Sequence, residues 1–481
     1  MLHNRREFLK RSALGFAALS LPSLGALARQ TSGGREKVLI LGAGLAGLVA
    51  AHDLNSLGYD VTILEASRRP GGRVYTLRAP FAEGQYAEAG AGRIPEWHDL
   101  TLLYVKLFGL ELEPFRPAEG TSILHLRGRR IKLKPGEDLE LSSLPFAFSA
   151  AERKLGLDGL EAKYIDPILK TMGDPAAPNW LTDQLKPLDQ MTWVEYLRRK
   201  GASRGAVELL AALTGWEWDS ALDYFRDDLG HRGAKTWFKI RRGMDLLPKA
   251  FAERLENKIR YGSEVVRIEQ DEKAAHAICK EAGGAQTYSA DRIICTIPFS
   301  VLRNVEIAPK LSPAKQEILE KIYYDPVVRV YVQTRKRFWQ AEGLNGFADT
   351  DDPAEVWQPT FLQPGERGIV HTYLEDGLTA KVAAMPEAER IRHSTQILEK
   401  VFPGMEENTE RVHSFCWADE PFARGAYVSF APGQITRWST AIREPEARMH
   451  FAGEHTSSFP GWMQGALESG LRASREIHRR A

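Results

Sequence analysis

A chain of 481 residues is too long for one ordinary domain, and its 43% hydrophobic and 26% charged content is that of a globular protein with two or three units. A formal net charge of +1 lacks the broad basic excess that nucleic-acid binding needs and gives no reason to invoke an acidic partner. Three cysteines, Cys279, Cys295 and Cys416, are too few for a disulfide scaffold or a Cys-rich metal centre, and no metal site is expected.

The chain opens on an address rather than on fold. Asn4-Arg5-Arg6-Glu7-Phe8-Leu9-Lys10 resembles the twin-arginine export signal, and an apolar stretch from Ala13 to Leu27 comes next. That stretch is short for a membrane span, which needs about 20 apolar residues. Ala26-Leu27-Ala28 has the small-x-small form of a cleavage site. Residues 1–30 are therefore expected to be a signal peptide read by the twin-arginine machinery, with the folded protein exported to the periplasm. The alternative is an N-terminal anchor helix.

The rest of the chain is organised around Lys37 to Glu65. Val38 to Leu41 is a short apolar run, as in a strand buried on both faces. Next comes Gly42-Ala43-Gly44-Leu45-Ala46-Gly47, the spacing G-x-G-x-x-G, then a helical pattern from Leu48 to Leu57 with Gly58 as a C-cap, and a second strand from Asp60 to Leu64. Strand, glycines, helix and strand in this order predict a dinucleotide fold. Gly42 permits the tight turn, Gly44 lets the backbone approach a pyrophosphate, and Gly47 packs the helix onto the strand, with the helix N-terminus facing the phosphates. Glu65, 18 residues after Gly47, suits a ribose. The motif alone does not choose between NAD and FAD.

The next residues do choose. Glu65-Ala66-Ser67-Arg68-Arg69-Pro70-Gly71-Gly72-Arg73 resembles the E-A-x-x-R-x-G-G-R signature of the FAD-dependent amine oxidases. The resemblance implies that Gly72 and Arg73 run along the FAD, with the Arg73 guanidinium a fixed cation for its phosphates. Tyr86 to His98, including Gly90-Ala91-Gly92-Arg93-Ile94-Pro95, is similar to the L-amino-acid oxidase branch, whose arginine grips a substrate carboxylate. That arginine maps to Arg93, whose planar fork matches two carboxylate oxygens. The alternative for Arg93 is a structural arginine after a Gly-rich turn.

Thr121 to Lys134 predicts a hairpin turning at Arg127-Gly128, and about Ser143 to Ile240 reads as helical, with Thr192-Trp193-Val194-Glu195 a capping box. Trp193, Trp216, Trp218 and Trp237 in this block read as core. Venom relatives carry a candidate base in this region. Arg226 or Asp227 falls nearest it, with His231 close by, and a lone histidine is usually a packed side chain. Arg242 to Pro248 resembles the segment that returns the chain to the cofactor domain. The family's adenine-holding valine maps to Val265.

One departure stands out. The family carries a lysine ten residues before a Phe-Trp tryptophan, and that lysine assists reaction with oxygen. Here Phe338-Trp339 is present, but the position is Arg329. Arginine keeps the charge without the compact ammonium, so oxygen or another electron acceptor stays open. Trp357 is a candidate pocket wall. Near Gly425-Ala426-Tyr427, monoamine oxidases carry a cysteine that bonds the flavin. Ala426 has no nucleophile, so the FAD is expected to be non-covalent.

The C-terminal segments Phe451-Ala452-Gly453-Glu454 and Pro460-Gly461-Trp462-Met463 resemble the family's terminal motifs. They imply Gly453 and Glu454 on the FAD, a helix starting near Met463 aimed at the flavin, and Trp462 with Tyr427 as an aromatic cage, Gly461 beside it. The implied fold is α/β (α+β overall), a Rossmann-like FAD domain with a mixed-sheet substrate domain. Residues 36–70, 243–305 and 440–481 form the first, 71–140 and 306–439 the second, and 141–242 a helical insert. The implied activity is oxidative deamination of L-amino acids by hydride transfer to flavin N5, with Arg93, Arg329, Tyr427 and Trp462 the catalytic candidates. An aromatic or large apolar substrate suits the cage. The rivals are an oxidase or dehydrogenase of plain mono- or polyamines, a tryptophan 2-monooxygenase-like enzyme yielding an amide, and a flavoprotein that does not turn over amines. A homodimer is left open.

Overall fold

The computed structural model describes residues 36–479 except 216, 352, 353, 375 and 376. The export signal expected over residues 1–30 lies outside them.

The dinucleotide reading of Lys37–Glu65 becomes a five-stranded parallel sheet. Its order is Ile259–Tyr261, Asp60–Glu65, Lys37–Leu41, Arg292–Cys295, Met449–Phe451. The central strands are apolar because both faces are covered. Helix Leu45–Ser56 lies against the last helix, Met463–His478. The two approach so closely at Gly470 that a Cβ there would sit 2.3 Å from the carbonyl oxygen of Ala46.

The two largest of the remaining sheets have four and seven strands. A four-stranded sheet runs Gly284–Ala290, Ala275–Glu281, Glu264–Gln270, Glu306–Ala308. A seven-stranded mixed sheet runs Thr409–Cys416, Val328–Thr334, Gly368–Leu374, Ala354–Trp357, Leu344–Thr350, Thr121–Leu126, Arg129–Leu133. The last two strands are the expected hairpin, turning at Arg127 and Gly128, both with positive φ. A short antiparallel ladder pairs Thr76–Leu77 with Ala87–Glu88.

The helical block holds helices such as Trp193–Arg199, Arg204–Thr214 and Ala221–Gly233, and the capping box between Thr192 and Glu195 is present. Its end departs from the sequence reading. Trp237–Ile240 is a strand, paired with Ile94–Pro95 and Leu112–Pro114. Alternation decides it: Phe238 packs toward the core with Ile240, while Trp237 turns to the other face.

Candidate active site

Each glycine of the turn does something different. A Cβ on Gly47 would lie 2.1 Å from the Gly42 carbonyl oxygen, so helix and strand touch there. A Cβ on Gly44 would meet nothing within 4 Å, because that face opens into a cavity of about 730 Å³. Glu65, buried at the strand end, accepts from the backbone N–H groups of Ala43 at 2.6 Å and Ser67 at 2.8 Å. Its lone pairs can still receive a ribose hydroxyl.

The cavity runs from this turn to the mixed sheet. Leu45, Ala46, Ala66, Gly72, Gly90, Ala91, Gly92, Val265, Gly453 and Met463 line it, and Ala43 does not. Arg69 lies along its wall, stacked 3.9 Å over the Tyr75 ring. Arg73 ties three segments together. Its Nη1 donates to the Ala426 carbonyl at 2.8 Å and to Glu454 Oε1 at 2.7 Å, and Glu454 Oε2 accepts from the Gly461 N–H at 2.8 Å. Trp462 is the N-cap of Met463–His478, and no side chain caps that helix, so its positive end faces the cavity wall. An open glycine face, a ribose acceptor, a cation and a helix N-terminus along one channel fit an FAD.

At the far end stands Arg93, its side chain 15% exposed. Its guanidinium lies 5.0 Å from the Trp357 ring, 5.3 Å from Trp237 and 5.9 Å from Trp462. Glu355 Oε2 is 3.2 Å from Arg93 Nη1 and 3.7 Å from Arg116 Nη2, and it accepts from Trp357 Nε1 at 2.5 Å. Burial pushes the Glu355 carboxyl up, but the two guanidinium groups and the indole outweigh it and hold it down at about 2. Trp462 Nε1 donates to Asp227 Oδ1 at 2.7 Å, and Asp227 pairs with His231 at 3.3 Å. The His231 ring stands 5.2 Å from Trp462 and 5.1 Å from Trp237. Burial would raise the Asp227 carboxyl, but His231, the Trp462 N–H and Arg93 bring it below its ordinary value.

The model of the flavin containing amine oxidoreductase family matches residues 45–478. The chain belongs to that family. Among curated relatives, the Bacillus subtilis (strain 168) protein YobN, named as a candidate L-amino-acid oxidase, is 32% identical over 92% of this chain and 95% of its own. The flavin-dependent L-tryptophan oxidase RebO of Lentzea aerocolonigenes is 30% identical over 93% and 98%. The L-amino-acid oxidase of Bothrops pauloensis is 28% identical over 98% and 92%. In fold, the chain resembles putrescine oxidase bound to putrescine, with a TM-score of 0.78 at 22% identity over 93% of this chain and 99% of the other. It is thus an amine oxidoreductase with FAD as cofactor, on the expected α/β fold. No cysteine lines the cavity wall among the described residues, and Ala426 stands there beside Tyr427, consistent with the non-covalent flavin of this amine oxidoreductase.

The sequence-read residues of the oxidoreductase fall in two groups. Arg93, Trp357, Tyr427, Gly461 and Trp462 share the inner end of the cavity. Tyr427 OH stands 3.5 Å from Tyr373 OH. Arg329 also lines the cavity, but its bonds turn inward. Its Nη1 donates to the carbonyls of Glu88 at 2.7 Å and Gly90 at 2.9 Å, and its guanidinium lies over the Tyr373 and Trp357 rings. Trp193 is core, as read, but Trp218 is exposed and Trp237 is a wall of the Arg93 cage. His231, set aside as a lone histidine, is in the site. Glu355, Asp349 and Arg116 escaped the sequence reading. Strand alternation puts Glu355 on the same face as Trp357 two residues on, but nothing local says that this face meets Arg93.

Proposed function

We propose that this enzyme oxidises L-amino acids with aromatic or large apolar side chains to 2-oxo acids, with ammonia and hydrogen peroxide as the other products. One amino acid, one oxygen molecule and one water balance these products. The observation that carries the reading is the Arg93 fork, caged by three tryptophans at the inner end of the cofactor channel. The names of the relatives, among them an L-tryptophan oxidase, point the same way.

When bound, FAD supplies the two-electron acceptor. The chain supplies position. Arg93 takes the substrate carboxylate, which fixes the α-carbon at one place and orientation. Trp462 and Tyr427 confine the amino group between rings. Trp357 and Trp462, which line the cavity, exclude water and offer a flat apolar surface to the side chain, with Trp237 packed beside Trp462 and Arg93. The substrate amine enters neutral and needs no dedicated base. Arg73, bonded to Glu454, holds the cofactor end in register. Arg329 keeps a positive charge beside the site while bracing the turn that carries Arg93.

Glu355 favours a second reading, an oxidase of amines that lack a carboxylate, because it already neutralises Arg93. One experiment separates the two. The purified enzyme is mixed without oxygen with a panel of L-amino acids and amines, and the flavin colour is followed. Bleaching by L-tryptophan or L-phenylalanine but not by the matching amines is expected. Bleaching by amines alone would establish the second reading. Prompt recovery on admitting oxygen, with peroxide, would identify oxygen as acceptor. A 2-oxo acid rather than an amide in the product excludes the monooxygenase-like outcome.

The division into an FAD domain (36–70, 243–305 and 440–481), a substrate domain (71–140 and 306–439) and a helical insert (141–242) belongs to the same proposal. So does export through the twin-arginine pathway to the periplasm, supported by Asn4 to Lys10. Detection of the mature protein in a periplasmic fraction, lost in an R5K/R6K variant, tests the latter.

A further inference from the structure

Arg93 is not waiting empty. Both terminal nitrogens of its fork lie within 3.5 Å of Glu355 oxygens, at 3.2, 3.4 and 3.5 Å. These distances exceed the 2.7–2.9 Å of a tight charge-assisted fork, so the pair is loosely made. Glu355 also has somewhere else to go. Trp357 Nε1 already donates to it at 2.5 Å, and Arg116 Nη2 stands 3.7 Å from the same oxygen. A carboxylate that leaves Arg93 therefore keeps a donor and a cation and is not stranded as a buried charge, the outcome that makes broken ion pairs costly. Arg116 is 48% exposed, so its side chain can follow. Across the strand pair, Asp349 stands directly opposite Glu355, and burial together with Glu355 pushes its carboxyl above its ordinary value. Two acids and two arginines thus face one end of the cavity, where a third carboxylate must enter.

We propose that Glu355 is a specificity-determining residue: it fills the Arg93 fork as an internal carboxylate, and a substrate carboxylate displaces it toward Arg116. The inference rests on the amino-acid reading of the site and adds a competitor to it. A substrate with a carboxylate exchanges one partner of Arg93 for another. An amine without one leaves the Arg93–Glu355 pair intact and meets a neutralised surface.

The exchange has a sign that a merely structural role does not share. In the flavin-loaded enzyme, Glu355→Gln is expected to tighten binding of the non-reacting probe benzoate, read as a change in flavin absorbance, by roughly threefold to tenfold, the size of a loose ion pair. The same variant is expected to lower KM for L-phenylalanine and to raise KM for phenylethylamine, which has no carboxylate and would enclose Arg93 without a counter-charge. Arg116→Gln removes the destination of the displaced carboxylate and is expected to weaken benzoate binding, which keeps the test alive if Glu355→Gln does not fold. Weaker or unchanged benzoate binding in Glu355→Gln would mean that Glu355 only orients Arg93, and the proposal fails. Unchanged or tighter binding in Arg116→Gln overturns it equally. Wild-type enzyme that turns over amines but no amino acid would refute the amino-acid reading instead, and the benzoate titration still decides the exchange.

Discussion

Trp462 Nε1 donates to Asp227 Oδ1 at 2.7 Å, joining the C-terminal segment to helix Ala221–Gly233, 235 residues away in sequence. The bond fixes the plane of a cage wall, and the same carboxylate holds His231 at 3.3 Å. Asp227→Leu leaves a part-buried indole donor without its partner, a loss worth about 1–3 kcal/mol. A fall of roughly tenfold in kcat/KM for an L-amino acid is expected. Asp227→Asn keeps an acceptor and should lose less. Steady-state rates of both variants check the order.

The glycine turn offers a contrast within three residues. Gly47→Ala drives a Cβ to 2.1 Å from a backbone carbonyl, and overpacking of this kind costs about 1–3 kcal/mol. The apoprotein itself should melt at a lower temperature. Gly44→Ala points into open cavity, at a φ of −70° that alanine tolerates. Its apoprotein should melt like wild type yet hold FAD at least roughly tenfold less tightly, because the methyl occupies the space into which the cofactor backbone approach is made. Melting curves with and without FAD separate the two effects.

Glu88 lies under the Arg93 turn, accepting from Thr76 Oγ1 at 2.7 Å and the Met244 N–H at 3.0 Å. Burial raises its carboxyl from an ordinary 4.5 to about 7. Between these values the unfolded chain is ionised and the folded protein holds the proton. Stability from this group is therefore greatest below pH 4.5, falls as pH rises to about 7, and is flat above. Glu88→Gln should remove that decline and stabilise the protein at pH 8, by an amount on the order of 3 kcal/mol at 1.36 kcal/mol per unit. Denaturant unfolding of both proteins from pH 5 to 8 measures the difference. Parallel curves would show that Glu88 does not titrate there.

Arg329 bonds two backbone carbonyls. Arg329→Met strands them and should destabilise by about 2–4 kcal/mol. Arg329→Lys restores a compact ammonium beside the cavity at the cost of the fork. Faster reoxidation of the reduced enzyme by oxygen is expected, measured by mixing the bleached protein with aerated buffer. An unchanged rate would leave the guanidinium with a bracing role alone.

The cofactor channel was legible in the sequence because its parts are local. Gly42 to Gly47 and Glu65 are set by neighbours along the chain, where backbone geometry dictates residue type, whereas Gly72-Arg73 and Gly453-Glu454 were legible through their resemblance to the family's motifs. The cage around Arg93 was only half legible. Trp357 and Trp462 were read from their motifs. Trp237 was hidden because a four-residue strand at the end of a helical block reads as more helix. Glu355 reaches Arg93 from 262 residues away, through pairing of Ala354–Trp357 with strands on both sides, and no local pattern encodes that register. His231 gained its place from helix Ala221–Gly233, which turns it toward Trp462 and Trp237. A composition-level discount could not see that.

The most direct measurement compares Arg93→Ala with wild type on a matched pair, L-phenylalanine and phenylethylamine. If Arg93 binds the substrate carboxylate, kcat/KM for the amino acid falls by roughly a hundredfold or more, as for loss of a charge-assisted fork in a partly buried site, and the amine is much less affected. An equal fall on both would contradict carboxylate recognition by Arg93 and leave that residue a structural role in the cage.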